Sequence, residues 1–187
     1  MKKFTKILSF AALTLSLSSC LKDKGYDEFK YGLNQEVASS NKVINMPVSG
    51  TTFTISKTIS LAAAGATPVS VTLPIHLSAQ DVASENIAVT VASDDARLAT
   101  YNATLTAANQ YQRLPDANFT IANGGITTIP AGSRDAGGVT ITYTPNNFPG
   151  LKTGRWAIPV SIKSVDKAGY VISTNQAYRI LLIIVNP

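Results

Sequence analysis

The sequence predicts an all-β protein, a sandwich of two antiparallel sheets built from about seven to nine short strands. Three observations carry this expectation. Apolar residues make up 45% of the 187-residue chain and charged ones only 14%, the reverse of the balance that keeps a chain disordered. Threonine occurs 20 times and glutamate 3 times, which suits pleated, half-buried surfaces better than the charged outer faces of a helical bundle. Apolar and polar residues also alternate with period two in many short runs, separated by clusters of Gly, Pro, Asn and Ser.

Ile44, Met46 and Val48 form the first run. Phe53, Ile55, Ile59 and Leu61 alternate with threonines and serines, interrupted by Lys57, until residues 62–68 turn the chain. Val69, Val71, Leu73, Ile75 and Leu77 then face one way, and Ser70, Thr72, Pro74 and His76 the other; Ile87, Val89 and Val91 continue the pattern. At Ser93 the period changes. Ser93 reads as an N-cap with Asp94 and Asp95 in the first turn, where a helix dipole favours anions, and Leu98, Tyr101 and Leu105 share a helical face. A short helix or turn is expected near residues 94–102. Strand patterns resume at 119–121, 126–129 and 139–144, and Trp156, Ile158, Val160 and Ile162 alternate with Arg155, Ala157, Pro159, Ser161 and Lys163. Residues 178–185 are apolar on both faces, as in a central strand. Pro74 and Pro159 each remove a ladder donor, so their strands read as edges or bulges. Residues 132–138, which lack the Gly-Lys-Ser/Thr ending of a phosphate loop, read as a hairpin turn.

The N-terminus carries a different message. Lys2, Lys3 and Lys6 precede the mostly apolar stretch Ile7 to Leu17, and Leu17-Ser18-Ser19-Cys20 follows. This is the layout of a secretory signal. Eleven residues make about 16 Å of helix, half of a hydrocarbon core of about 30 Å, so the stretch is too short to span it comfortably. The cysteine placed after Leu-Ser-Ser resembles a bacterial lipobox, with cleavage between Ser19 and Cys20 and lipidation of Cys20. Cys20 is the only cysteine, so the fold has no internal disulfide and stands on its core. Two or three acyl chains hold far more firmly than the marginal grip of one. The expected organisation is a lipoprotein signal at 1–19, a lipidated cysteine and polar tether at 20–40, and a single sandwich domain at 41–187.

Removing the signal takes three of 16 basic residues and none of the 11 acidic ones, leaving a net charge of +2. No basic footprint for nucleic acid remains. The partner expected is the membrane, through the lipid anchor.

Leu114-Pro115-Asp116, Phe119-Thr120-Ile121, Ile129-Pro130-Ala131-Gly132 and Trp156-Ala157-Ile158-Pro159-Val160-Ser161-Ile162 occur in this order. In them the chain resembles the immunoglobulin-like sandwich domain of unknown function found in Bacteroidetes outer-membrane lipoproteins of glycan-utilisation loci, over roughly residues 35 to 185. The resemblance implies an outer-membrane accessory module, a spacer or glycan-contacting platform, with polysaccharide or outer-membrane glycan-uptake proteins as partners. It supplies no catalytic residues. In such lipoproteins acidic residues after the cysteine accompany surface export, and Asp23, Asp27 and Glu28 match in part, favouring the cell-surface face over the periplasmic one. The chain ends at Asn186-Pro187 after the last strand pattern, so activities that the family owes to an attached module are not carried over.

Catalysis has little to work with. His76 is the only histidine, and by alternation it points outward. Asp81, Glu85, Asp94, Asp95, Asp116, Asp135 and Asp166 lie mostly in turns without metal-ligand spacing, so no metal, cofactor or catalytic residue is assigned. Sugar binding calls for exposed aromatic faces. Trp156, Tyr143 and Tyr178 read as core by alternation. Tyr101, Tyr111, Phe148 and Tyr170 fall in irregular segments and are the candidate ligand-binding residues. The reading is a non-enzymatic glycan-binding or surface-interaction module. A structural assembly subunit and a glycoside-processing enzyme are its alternatives.

Overall fold

The computed structural model describes residues 41–48 and 52–187. Cys20, the Ser19–Cys20 cleavage position and the tether at 21–40 lie outside these residues. Twelve strands, more than the seven to nine expected, form among them. They are β1 (Lys42–Asn45), β2 (Thr54–Ser60), β3 (Val69–Leu73), β4 (His76–Ser78), β5 (Ile87–Ser93), β6 (Gln112–Arg113), β7 (Phe119–Ile121), β8 (Ile126–Ile129), β9 (Val139–Tyr143), β10 (Gly154–Val165), β11 (Tyr170–Ile172) and β12 (Tyr178–Asn186). Two α-helices join them, α1 (Leu61–Ala64) and α2 (Asp95–Asn102). No helix among the described residues is long and apolar enough to cross a membrane.

The architecture is the expected β-sandwich. One layer is the sheet β2-β12-β10-β5-β8, with β6 added beside β10. Two three-stranded sheets, β11-β1-β4 and β3-β9-β7, complete the sandwich. Most pairs are antiparallel. The three parallel ones, β1–β11, β6–β10 and β2–β12, each involve a strand at a sheet margin. The inner faces meet in one core, where Ile44, Leu73, Ile87, Ile129, Ile141, Ile158 and Ile183 are fully buried. Each such side chain contributes about 1.5–3 kcal/mol by leaving water. Trp156 and Tyr143 belong to this core, as alternation requires.

The two prolines act differently from each other. Pro74 divides the run from Val69 to Leu77: β3 before it pairs with β9, and β4 after it pairs with β1. It is exposed at the corner where the chain changes sheets, a natural place for a residue without an N–H. Pro159 does not mark an edge. It is buried in β10, flanked by β12 on one side. On the other side Trp156 and Ala157 pair with β6, and Val160 to Val165 pair with β5. Pro159 lies between these two partners, and its carbonyl accepts the Asp94 N–H at 3.0 Å. The missing donor thus falls in a break in the ladder.

Residues 130–138 are not a hairpin. β8 pairs with β5 and β9 with β3 and β7, so this segment crosses between layers. Ser133 and Arg134 accept backbone N–H groups of Ala83 and Leu77, and Asp135 Oδ1 lies 2.7 Å from His76 Nδ1. Gly138 ends the crossing at φ 84°, where a Cβ would stand 2.7 Å from the Leu73 carbonyl oxygen. The helix expected near 94–102 forms as α2, but its cap is Asp94 and not Ser93. Ser93 ends β5 and donates to Asp116 Oδ1 at 3.1 Å.

Candidate functional site

β10 and β12 bury both faces. On the outer face Ala157, Ile180 and Leu182 are at most 3% exposed, covered by Leu98 of α2 and by Tyr111, with Tyr101, Leu105, Tyr178 and Ile184 packed around them. An eight-residue helix is too short to persist unaided, and its tethering accounts for its stability. Asp94 Oδ2 accepts Ser161 Oγ at 2.6 Å and meets Lys163 Nζ at 3.0 Å. Asn102 closes a two-way bridge with Tyr111, donating to its carbonyl at 2.9 Å and accepting its N–H at 3.0 Å. Arg113 joins Asp95 at 2.7 Å and Asp116 at 2.6 Å.

These clamps shift the carboxylates. Burial pushes the Asp94 carboxyl up, but the hydrogen bonds from Ser161 and Lys163 and the charges of Lys163 and Arg97 outweigh it and hold it below the ordinary carboxylate value. The Arg113 hydrogen bond does the same for Asp116. Both are therefore ionised fasteners at neutral pH, unlike the raised carboxyl that a glycosidase uses as its acid.

Beside α2 the outer face opens into a groove of about 380 Å³, at the lower end of the range for small-ligand sites, about 300–1,000 Å³. Its floor is aromatic. Phe53 and Tyr178 stack with centroids 5.0 Å apart and planes 22° apart, and the Arg97 guanidinium lies 4.2 Å above the Tyr178 ring. Tyr101 and Ile180 extend the apolar surface, while Thr52, Thr54, Thr100 and Thr104 supply hydroxyls. Tyr101 and Tyr178 are both half-buried.

Of the four candidate ligand-binding residues, the fold brings two together. Tyr101 lines the groove, and Tyr111 lies against it at 6.2 Å. Tyr111 is only 7% exposed; its hydroxyl accepts from Arg155 at 2.9 Å and the guanidinium covers its ring at 4.4 Å. It supports Tyr101 and offers no open face. Phe148 must be corrected. The 3₁₀ turn Pro145–Asn147 carries it inward to 3% exposure, between Tyr143 at 5.8 Å and Trp156 at 5.7 Å, where no sugar can reach its ring. Tyr170 belongs to β11 in another sheet, with the Lys42 ammonium 5.1 Å above its ring.

Sequence reasoning missed Phe53 and Tyr178. Tyr178 reads as core by alternation, yet β12 carries its ring out with Ile180 and Leu182, onto the face that α2 covers only in part. The parallel pairing of β2 with β12, Thr54 opposite Ile180, then sets Phe53 beside it. A contact between residues more than a hundred positions apart leaves no local trace. The only hint was an aromatic at the start of each strand pattern. Among the described residues no three His, Cys, Asp or Glu side chains converge as a metal site would require.

Fold and groove define a class, a β-sandwich module with an aromatic groove on one outer face. Residues 34–169, more than half of the chain, match the model of a family described as an N-terminal domain. The chain belongs to that family. No curated protein matches it. Among solved structures, EndoBT-3987 of Bacteroides thetaiotamicron, with Man5GlcNAc product, is similar at 27% identity and TM-score 0.52, over 70% of this chain and 28% of that one. A protein of Bacteroides ovatus proposed to bind carbohydrate matches at 12% identity and TM-score 0.55, over 75% of this chain and 36% of that one. A two-domain protein of unknown function from Bacteroides fragilis matches at 8% identity and TM-score 0.59, over 89% of this chain and 51% of that one. This chain thus spans between 28% and 51% of the length of these three proteins.

Proposed function

We propose that the protein is a non-catalytic glycan-binding accessory module, anchored to the outer membrane through a lipidated Cys20 and directed to the cell-surface face. The observation that carries the reading is the groove, in which the aromatic side chains of Phe53, Tyr101 and Tyr178 meet a rim of threonine hydroxyls. Aromatic faces against sugar C–H surfaces, with a few polar groups fixing orientation, are the ordinary chemistry of sugar recognition. Family membership and the likeness to EndoBT-3987 and to a protein proposed to bind carbohydrate support it.

A glycan array probed with the purified protein tests the binding. Retention of oligosaccharides that falls at least tenfold on Tyr178→Ala is expected, and retention unchanged by that variant would remove the groove from the reading. Labelling with a radioactive fatty acid tests the anchor, with incorporation expected in the wild type and none in Cys20→Ser. A second reading, that the module is a spacer, is favoured by the family's standing as N-terminal domains and by the greater length of the similar proteins. It predicts no retention of any glycan.

A further inference from the structure

We propose that the groove selects glycans bearing a carboxylate or sulfate, with Arg97 as the residue that reads the anion. This deepens the glycan-binding reading and rests on it. Two of the four threonines in the groove have their hydroxyl protons engaged. Thr100 Oγ1 donates to the Ala96 carbonyl at 2.9 Å, and Thr104 Oγ1 to the Tyr101 carbonyl at 2.7 Å. Their protons are engaged, so to a ligand they offer lone pairs, which match the O–H groups of any sugar. Arg97 is different. A guanidinium held over a ring keeps its N–H edges for an acceptor, and among the described residues its polar contact is a long one, Nε to Asp94 Oδ2 at 3.9 Å.

The charges around the groove point the same way. Among the described residues its lining contains no carboxylate, and Arg97 is its cation. The neighbouring Asp94 is held more closely by Lys163 at 3.0 Å and Ser161 at 2.6 Å, so its pairing with Arg97 stays long and leaves the guanidinium edges open to a ligand. A planar cation stacked at the floor of an apolar, threonine-rimmed groove suits a planar carboxylate on a sugar ring. The ring's C–H face would lie on Tyr101 or Phe53, with Tyr178 serving as the platform on which the guanidinium stacks. A neutral sugar would leave the strongest donor of the site unanswered.

The test is titration calorimetry of the whole protein with a tetragalacturonate and with its methyl ester, which keeps the sugar skeleton and removes the charge. A neutral mannan oligosaccharide serves as a third probe. Charge-assisted hydrogen bonds support an expectation of about 10- to 100-fold tighter binding of the acid than of the ester. That preference is expected to vanish in Arg97→Gln, to survive in part in Arg97→Lys, and to persist in Lys167→Gln, which removes a cation held elsewhere by Glu85 and Asp166. Equal binding of acid and ester, or binding of the mannan oligosaccharide alone, would overturn the selectivity while leaving the glycan-binding reading intact. An equal loss of preference in Lys167→Gln would also overturn it, by assigning the effect to overall charge. Failure of all three probes, together with an empty glycan array, would remove both readings.

Discussion

The two faces of β10 and β12 are buried by different means. Inward, Trp156, Ile158, Val160, Leu181, Ile183 and Val185 meet the side chains of the other sheets in a continuous apolar layer. Outward, Ala157, Ile180 and Leu182 are covered by one short helix and its return strand. Apolar contact alone suffices for the first. The second depends on fasteners: Asp94 to Ser161 and Lys163, Asn102 to Tyr111, and Arg113 to Asp95 and Asp116. The contrast teaches where binding is possible. A closed layer has no room for a ligand, whereas a cover pinned at a few points leaves a margin, and the aromatic groove lies along that margin.

Substitutions that act on one face and spare the other sharpen this comparison. The largest effect is expected from Ile158→Ala in the inner layer, a loss of about 2–5 kcal/mol of global stability. Urea denaturation followed by the fluorescence of Trp156, the only tryptophan, reads it directly, and sugar retention falls with the fold. Leu98→Ala removes the main apolar anchor of α2 and is expected to cost about 2–3 kcal/mol, concentrated locally. Hydrogen exchange should accelerate across residues 95–113 while β5 and β9 stay protected. Uniform acceleration through both sheets would break the distinction between the two faces.

A smaller effect is expected from Ser161→Ala, about 1–2 kcal/mol, because the Asp94 carboxylate loses a hydrogen-bond donor. Its pH dependence is specific. The folded state holds the Asp94 carboxyl below its ordinary value of 3.8, so the stabilisation is present above that value and is lost as pH falls through the folded one. Acid titration of the α2 amides by NMR should therefore display loosening below about pH 4, with the midpoint shifted upward in the variant. The smallest effect belongs to the inner layer. Tyr143 carries a buried hydroxyl without a partner among the described residues, and burial pushes its pKa from 10.0 up to about 12. Stability is unaffected by this group below about pH 10 and falls as pH rises towards 12, where the unfolded chain ionises more readily than the buried phenol. Tyr143→Phe should change stability at neutral pH by less than about 1 kcal/mol and flatten the alkaline end of the melting-temperature profile.

The strands were legible because alternation is local, and Ile87, Val89, Val91, Trp156, Ile158 and Val160 all bury the face that their spacing predicts. The helix was legible from the same kind of signal, a change of period after Ser93. Its cap was misplaced by one residue because Ser93 and Asp94 are both good caps, and Pro159, which accepts the Asp94 N–H, decided between them. Pro159 misled because a missing donor is compatible with an edge and equally with a gap between two partners. One wall of the groove was visible in Tyr101, and the support behind it in Tyr111. Phe148 sat in an equally irregular segment, but a single 3₁₀ turn reversed its direction.

By itself the sequence determined the β-sandwich, most of its strands in their order along the chain, and most of the residues that fill its inner layer. Each of these follows from the period-2 pattern and from the free energy of burying apolar faces. Only the tertiary structure decided that β2 lies parallel to β12, that α2 closes over the outer face, and that Phe53, Tyr178 and Arg97 share a groove. Pairing partners are chosen by contacts between distant segments, and an aromatic at a strand end carries no mark of which neighbour it will meet.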